Sequence, residues 1–225
     1  MTPRELVASA RIPGGDEMRL VRRGGDHMIL VGRDELMSSR MSGSEEALAV
    51  MTAARLGQRR GARWLVGGYG MGFTLRAALA ALPGDATVAV VELVPAIVDW
   101  AKGPMAAMTG GSLDDPRVTL RVGDVADAIA DGRGAYDAIL LDVDNGPDGL
   151  VRAANDRLYT PAGLAAAKAA LRPWGVLAIW SAGDDAGFTR RLAAAGFAVD
   201  QQAVRARASG KGPRHIIWFA SVRGP

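Results

Sequence analysis

The 225-residue chain contains no cysteine and only two histidines, His27 and His215. The first absence excludes disulfides and thiolate chemistry. The second leaves too few ligands for a histidine-based metal site, and no metal is expected. No apolar run approaches the roughly 18 residues of a membrane-crossing helix, and Met1–Glu5 has no apolar core of signal-peptide type. The expectation is a soluble cytoplasmic protein with no membrane partner. Charge of neither sign dominates, the formal balance being +3. The one dense basic run, Arg205, Arg207, Lys211 and Arg214, lies among Gly, Ser and Pro residues and reads as a solvated loop between strands. Nucleic acid is therefore not an expected partner.

The most informative stretch present is Trp64-Leu65-Val66-Gly67-Gly68-Tyr69-Gly70-Met71-Gly72, followed by a helix-like segment and then Val88-Ala89-Val90-Val91-Glu92. Glycines let a backbone turn tightly and approach a ligand closely. A helix beginning there aims free N–H groups at that ligand. A carboxylate ending the next parallel strand, about 20 residues on, accepts two hydrogen bonds from a ribose diol. Gly68, Gly70, Gly72 and Glu92 thus read as a nucleoside-binding βαβ unit.

From Arg63 onward the sequence alternates strands (near 63–67, 87–92, 117–122, 136–142, 176–181, 198–204 and 214–221) with helices (near 72–81, 95–108, 124–131, 160–171 and 185–195). Alternation of this kind predicts an α/β fold with a mostly parallel seven-stranded sheet covered on both faces. The segment joining the last two strands has no room for a helical crossover, so the last strand is expected to run antiparallel. Ahead of this unit, Met18–Arg22 and His27–Val31 flank Arg23-Gly24-Gly25-Asp26, a β-hairpin signal. Ser44, followed by Glu45 and Glu46, is the expected N-cap of a helix running to about Arg60 and closed by Gly61. The expected organisation is an N-terminal hairpin extension over 1–43 and a Rossmann-like nucleoside-binding domain over 44–225.

Two further strand ends carry candidates. Gly123-Asp124-Val125 follows the third strand; Asp124 is placed to accept from an adenine amino group and Val125 to offer its backbone N–H, and Asp124 also suits a helix N-cap. The fourth strand stops at Asp142, on the same sheet edge, where a carboxylate can orient a nucleophile and accept its proton. A purely local role, capping the turn that Asn145-Gly146-Pro147 completes, is the alternative for Asp142. Tyr159, on a loop able to cover the acceptor, joins Asp144 and Asn145 as candidate substrate contacts.

The sheet pattern resembles the class I S-adenosylmethionine-dependent methyltransferase fold more than a nicotinamide dehydrogenase, whose G-x-G-x-x-G would need glycine at Phe73. Within that fold, the glycine turn, Glu92, Gly123-Asp124, Tyr136–Asp142, Leu158-Tyr159-Thr160 and Leu171–Leu177 resemble the spermidine synthase (polyamine aminopropyltransferase) family over about residues 17–200. The resemblance implies transfer of an aminopropyl group from decarboxylated S-adenosylmethionine to an amine, with methylthioadenosine released. It implies that Glu92 holds the ribose, Asp124 the adenine, and that Asp142 activates the amine. It also implies a homodimer. Three departures accompany it: Met71 stands where the family has an aspartate, Asn145 replaces the second acid of the catalytic loop, and Ser44-Glu45-Glu46 replaces a Tyr-His pair.

Two other readings stay open. One keeps S-adenosylmethionine itself as co-substrate and transfers a methyl group to a small acceptor. Its metal-dependent catechol-type form would need an Asp-Asn pair where this chain has Ile179-Trp180-Ser181. The other is a non-catalytic nucleoside-binding or assembly module that has lost its substrate acids at Met71 and Asn145.

Overall fold

The computed structural model describes residues 3–13, 15–143 and 156–224. Strands β1 (Glu5–Arg11), β2 (Glu17–Arg23), β3 (Asp26–Val31) and β4 (Asp34–Ser38) form an antiparallel sheet in that order. β2 and β3 are the expected hairpin: Arg23 pairs with Asp26 across Gly24-Gly25, and Gly24 has the left-handed φ of 63° that a two-residue turn requires. β1 and β4 enlarge the two-strand extension expected from the sequence. Both are edge strands, and neither carries the regular apolar alternation that announces a half-buried strand.

Helix α1 (Gly43–Leu56) follows. Ser42, not Ser44, is its cap residue, and Gly57 with φ 65° closes it in place of Gly61. The first glycine to supply a left-handed turn ends the helix. Ser44 is instead buried in the first turn.

The second sheet has seven strands: β5 (Arg63–Gly67), β6 (Thr87–Glu92), β7 (Val118–Val122), β8 (Tyr136–Leu141), β9 (Leu171–Ser181), β10 (Ala198–Arg205) and β11 (Arg214–Ser221). Their spatial order is β10-β11-β9-β8-β5-β6-β7. β5, β6, β7, β8 and β9 pair in parallel, and β11 runs antiparallel between β9 and β10, as the short connection demands. The helices between them are α2 (Phe73–Ala81), α3 (Pro95–Lys102), α4 (Ala106–Thr109), α5 (Val125–Asp131), α6 (Asp156–Tyr159), α7 (Pro161–Ala170) and α8 (Ala186–Ala194). The single helix expected over 95–108 is split at Gly103-Pro104, because proline has no N–H to continue the ladder.

Adjacent residues of one strand face opposite layers. Val66, Val90 and Leu140 pack with α1, α2 and α3 and with Met18, Leu20 and Ile29 of the N-terminal sheet. Leu65, Val91 and Ile139 pack with α5, α7 and α8 on the other face. The N-terminal sheet thus shares one layer with α1 and α2, on the flank where the strand ends open. The basic residues 205–214 form the β10–β11 hairpin, closed by Arg207 N–H to Lys211 O at 3.1 Å and docked on α1 by Gly43 N–H to Ala206 O at 2.9 Å. Among the described residues no helix is long and apolar enough to cross a membrane.

Candidate functional site

One cleft opens at the C-terminal ends of β5, β6 and β8, the edge where open α/β sheets bind ligands. Gly68, Gly70, Glu92, Gly123, Asp124, Val125 and Asp142 all line it. Gly68 has φ 83°, and a Cβ there would collide with the Asp142 carbonyl oxygen. The glycine loop and the Asp142 strand end therefore touch backbone to backbone, helped by Asp142 N–H to Gly67 O at 3.0 Å. Gly72 does not reach the cleft; with φ 77° it caps α2. Met71 is fully buried in the core.

Glu92 is only 6% exposed. Its Oε2 accepts from the Tyr69 and Gly70 amides at 2.8 and 3.4 Å, and its Oε1 from the Val94 amide at 2.8 Å. The carboxylate thereby ties the glycine loop to the end of β6. Burial pushes its pKa up, partly opposed by these amide donors. Asp124 serves as N-cap of α5, accepting from Ala126 N–H at 2.8 Å, and its other oxygen takes the Arg157 guanidinium at 2.7 Å. Arg157 also reaches Asp127 at 3.0 Å, so α6 is pinned to the start of α5 at the Asp124 end of the cleft.

At the opposite end the Thr74 hydroxyl, in the first turn of α2, donates to Asp142 Oδ2 at 2.6 Å and lies 3.3 Å from the Glu45 main-chain oxygen. Glu45, 8% exposed in the first turn of α1, lines the same cleft. Burial raises Asp142 to about 6, against the Thr74 bond that favours its charged form. Burial, with the Asp142 charge added, raises Glu45 to about 8. Both carboxyls are thus protonated more readily than ordinary side-chain acids. Ser44 Oγ donates to Glu45 Oε2 at 2.6 Å and faces His215 Nδ1 at 2.9 Å. His215 in turn sits edge-on to Trp180, ring centroids 4.8 Å apart, and burial lowers its pKa.

Tyr159 stands elsewhere. It is buried against Phe188 in the second core layer, ring centroids 5.5 Å apart, and does not line the cleft. Asp144 and Asn145 lie outside the described residues. The residues that sequence reasoning missed are Thr74 and His215, and it gave Ser44 only a capping role. The adjacent Ser44-Glu45 was the one available signal, since nothing local ties His215 to a partner 171 positions away. Among the described residues no group of three or more His, Asp or Glu is placed to hold a metal ion.

The chain resembles known proteins in sequence and in fold. A polyamine aminopropyltransferase of Mycobacterium tuberculosis is 33% identical over 181 residues, covering 78% of this chain and 30% of its own length. A spermidine synthase in complex with the transition-state analogue AdoDATO superposes with a TM-score of 0.75 at 18% identity, over 96% of this chain and 72% of that one. The spermidine synthase of Thermotoga maritima gives 0.75 at 17% identity with the same coverage. The chain is similar in sequence to part of these aminopropyltransferases and has the fold of the spermidine synthase structures. It has the methyltransferase-type sheet expected from its sequence, and it spans about a third of the length of the curated relatives it matches. No protein-family model matches it.

Proposed function

We propose that the chain is a transferase that moves an aminopropyl group from decarboxylated S-adenosylmethionine to a small amine. The observation that carries this reading is Asp142: a carboxyl with its pKa raised to about 6, its backbone against the glycine loop and its side chain held by Thr74 in the cleft that Glu45 also lines. The donor supplies an electrophilic carbon beside a sulfonium. The nitrogen lone pair forms the C–N bond as the C–S bond breaks, and the bonding electrons stay on sulfur as the neutral thioether methylthioadenosine. Asp142 orients the nitrogen and accepts the proton it sheds, a task suited to a base whose pKa lies close to the working pH. Glu92 would hold the ribose, and Gly68, Gly70 and the Gly123-Asp124-Val125 segment would border the rest of the nucleoside. Glu45, which lines the cleft, joins Asp144 and Asn145 as a proposed acceptor contact, whereas Tyr159 is buried against Phe188.

The test is product analysis by mass spectrometry with S-adenosylmethionine and its decarboxylated form offered separately, each with a pool of amines and phenols. Methylthioadenosine formed only from the decarboxylated donor and an amine is the expected result. S-adenosylhomocysteine would replace the reading with methyl transfer, and nucleoside binding with no product would replace it with the sensing or assembly module.

A further inference from the structure

Thr74 sits in the first turn of α2, just past the glycine turn, and is only 2% exposed. A threonine hydroxyl inside a helix commonly bonds a carbonyl one turn back. Here it reaches two other elements instead. Asp142 Oδ2, just past β8, is 2.6 Å away, and the Glu45 main-chain oxygen on α1 is 3.3 Å away. Asp142 is therefore anchored twice. Its main chain lies against Gly68 and donates to Gly67 O at 3.0 Å, and its side chain is held by the residue that follows the same glycine turn into α2.

A carboxylate fixed only through its main chain still turns about its side-chain bonds, whereas one oxygen bonded to a buried hydroxyl sets its plane. We propose that Thr74 is a positioning residue: its hydroxyl holds one oxygen of Asp142, so that the carboxylate meets an incoming nitrogen in a single orientation. This rests on the transferase reading above for the task Asp142 performs, and it adds the residue that aims it. One hydroxyl proton serves two acceptors in turn. While Asp142 is ionised, the proton lies in the short, charge-assisted bond to Oδ2. Once Asp142 has taken the proton shed by the nitrogen, the hydroxyl accepts from the carboxyl and turns its own proton to the Glu45 main-chain oxygen. Both states of the base thus keep a bond to Thr74.

Burial raises the Asp142 pKa most, the Thr74 bond works against it, and the Glu92 charge adds to the rise. The other ionisable groups along the described cleft are Glu45 from α1, Glu92 from the end of β6 and Asp124 from the start of α5. Substitution of Thr74 leaves all of these in place, and likewise Asp144 and Asp148 outside the described residues. A difference between Thr74 variants therefore reads the hydroxyl.

The experiment compares the full chain with its Thr74→Val and Thr74→Ser variants. Valine keeps the size and removes the hydroxyl; serine keeps the hydroxyl and removes the methyl. The first readout is the titration of the Asp142 carboxyl by carbon NMR, its signal identified by its loss in Asp142→Asn, which needs no turnover. The second is the pH profile of methylthioadenosine release from decarboxylated S-adenosylmethionine with the amine pool. In Thr74→Val the carboxyl titration and the acid limb of kcat/KM should both move up by about one pH unit, the size of one hydrogen bond to a charged group. The plateau kcat should fall about tenfold as the carboxylate loses its aim, with methylthioadenosine affinity unchanged. Thr74→Ser should return titration and kcat most of the way to wild type. An Asp142 that titrates in Thr74→Val as in wild type overturns the inference and leaves aminopropyl transfer standing. A shifted titration with an unchanged plateau kcat also overturns it, because the bond would then set proton affinity without aiming the carboxylate. So does a Thr74→Ser variant as impaired as Thr74→Val, since packing of the methyl would be the cause. If even the wild type turns over no amine, the transferase reading fails and the titration alone decides: a rise with valine that serine reverses upholds the hold of Thr74 on Asp142, and no rise overturns it.

Discussion

The Ser44 hydroxyl lies 2.9 Å from Nδ1 of His215, and its own proton goes to Glu45 Oε2 at 2.6 Å. While Glu45 is ionised its Oε2 takes the Ser44 proton, so Ser44 accepts from His215 and the histidine carries hydrogen on Nδ1. The line from β11 through α1 therefore holds one Glu45 oxygen in place and turns the carboxyl toward the cleft. Its function is positional, because His215 does not line the cleft.

His215→Phe keeps the edge-on contact with Trp180 and removes the donor to Ser44. A buried hydroxyl left without its donor costs about 1–3 kcal/mol. Urea denaturation should show a loss toward the lower end of that range, because Ser44 retains its bond to Glu45. KM for the amine should rise more than kcat falls. A variant with unaltered KM would reduce the His215–Ser44 contact to packing.

Asp142→Asn preserves size and can still meet Thr74, but cannot accept a proton. Loss of a general base is worth about 10²–10⁴ in rate. The variant should lose methylthioadenosine release on that scale while calorimetry gives near wild-type nucleoside affinity. Full activity would remove Asp142 from the chemistry.

The pH dependence of rate and of stability should run in opposite directions. Asp142 must be ionised to act as base, so kcat/KM should climb with pH through about 6. For stability, both carboxyls have folded pKa values above their ordinary ones, so the native state binds more protons than the unfolded state between them. Their contribution is complete below about pH 4 and declines as pH rises through about 6 for Asp142 and about 8 for Glu45. Each tilts unfolding free energy down by up to about 1 kcal/mol per pH unit in its window. Chemical denaturation from pH 5 to 8 should show this slope in the wild type and a flatter one in Glu45→Gln.

Much of this architecture is legible from residue pattern alone. Parallel strands buried on both faces read as continuous apolar runs, as in Trp64–Val66 and Ala138–Leu141, and the glycine turn and terminal acids mark their carboxyl ends. Seven of the cleft residues follow from that logic, because each stands at a strand end or within three residues after it. The missed features depend on distant partners or on weak local signals. β1 and β4 are short edge strands without regular apolar alternation, β9 starts at Leu171 through a Pro173 that reads as a breaker, and Thr74 looks like an ordinary helix residue until β8 is placed beside it. His215 belongs to the same class, since only the antiparallel insertion of β11 beside β9 brings it to α1.

At the opposite edge of the sheet Asp137, its side chain only 7% exposed, joins three elements. It accepts from Arg59 at 3.1 Å, from Arg172 at 3.0 Å and from the Arg63 amide at 2.8 Å. Removing one member of a buried ionic cluster leaves uncompensated charge, a loss of about 3 kcal/mol. Asp137→Ala should lower the urea midpoint accordingly without changing nucleoside affinity at temperatures where it stays folded. A large affinity loss in the folded variant would mean that the two sheet edges are coupled.

Gly68 tests the opposite case, where stability and function share one atom's worth of space. Its φ of 83° is a conformation that L side chains rarely adopt, and its missing Cβ is the room occupied by the Asp142 carbonyl. Gly68→Ala imposes left-handed strain of about 1–2 kcal/mol and forces the two strand ends apart. Because Asp142 N–H is bonded to Gly67 O, that separation displaces the carboxyl together with the glycine loop. Nucleoside affinity and kcat should therefore fall together in this variant, whereas Asp142→Asn should separate them. If Gly68→Ala instead lowers stability and leaves both affinity and kcat intact, the backbone contact between the two strand ends is structural and does not position the base.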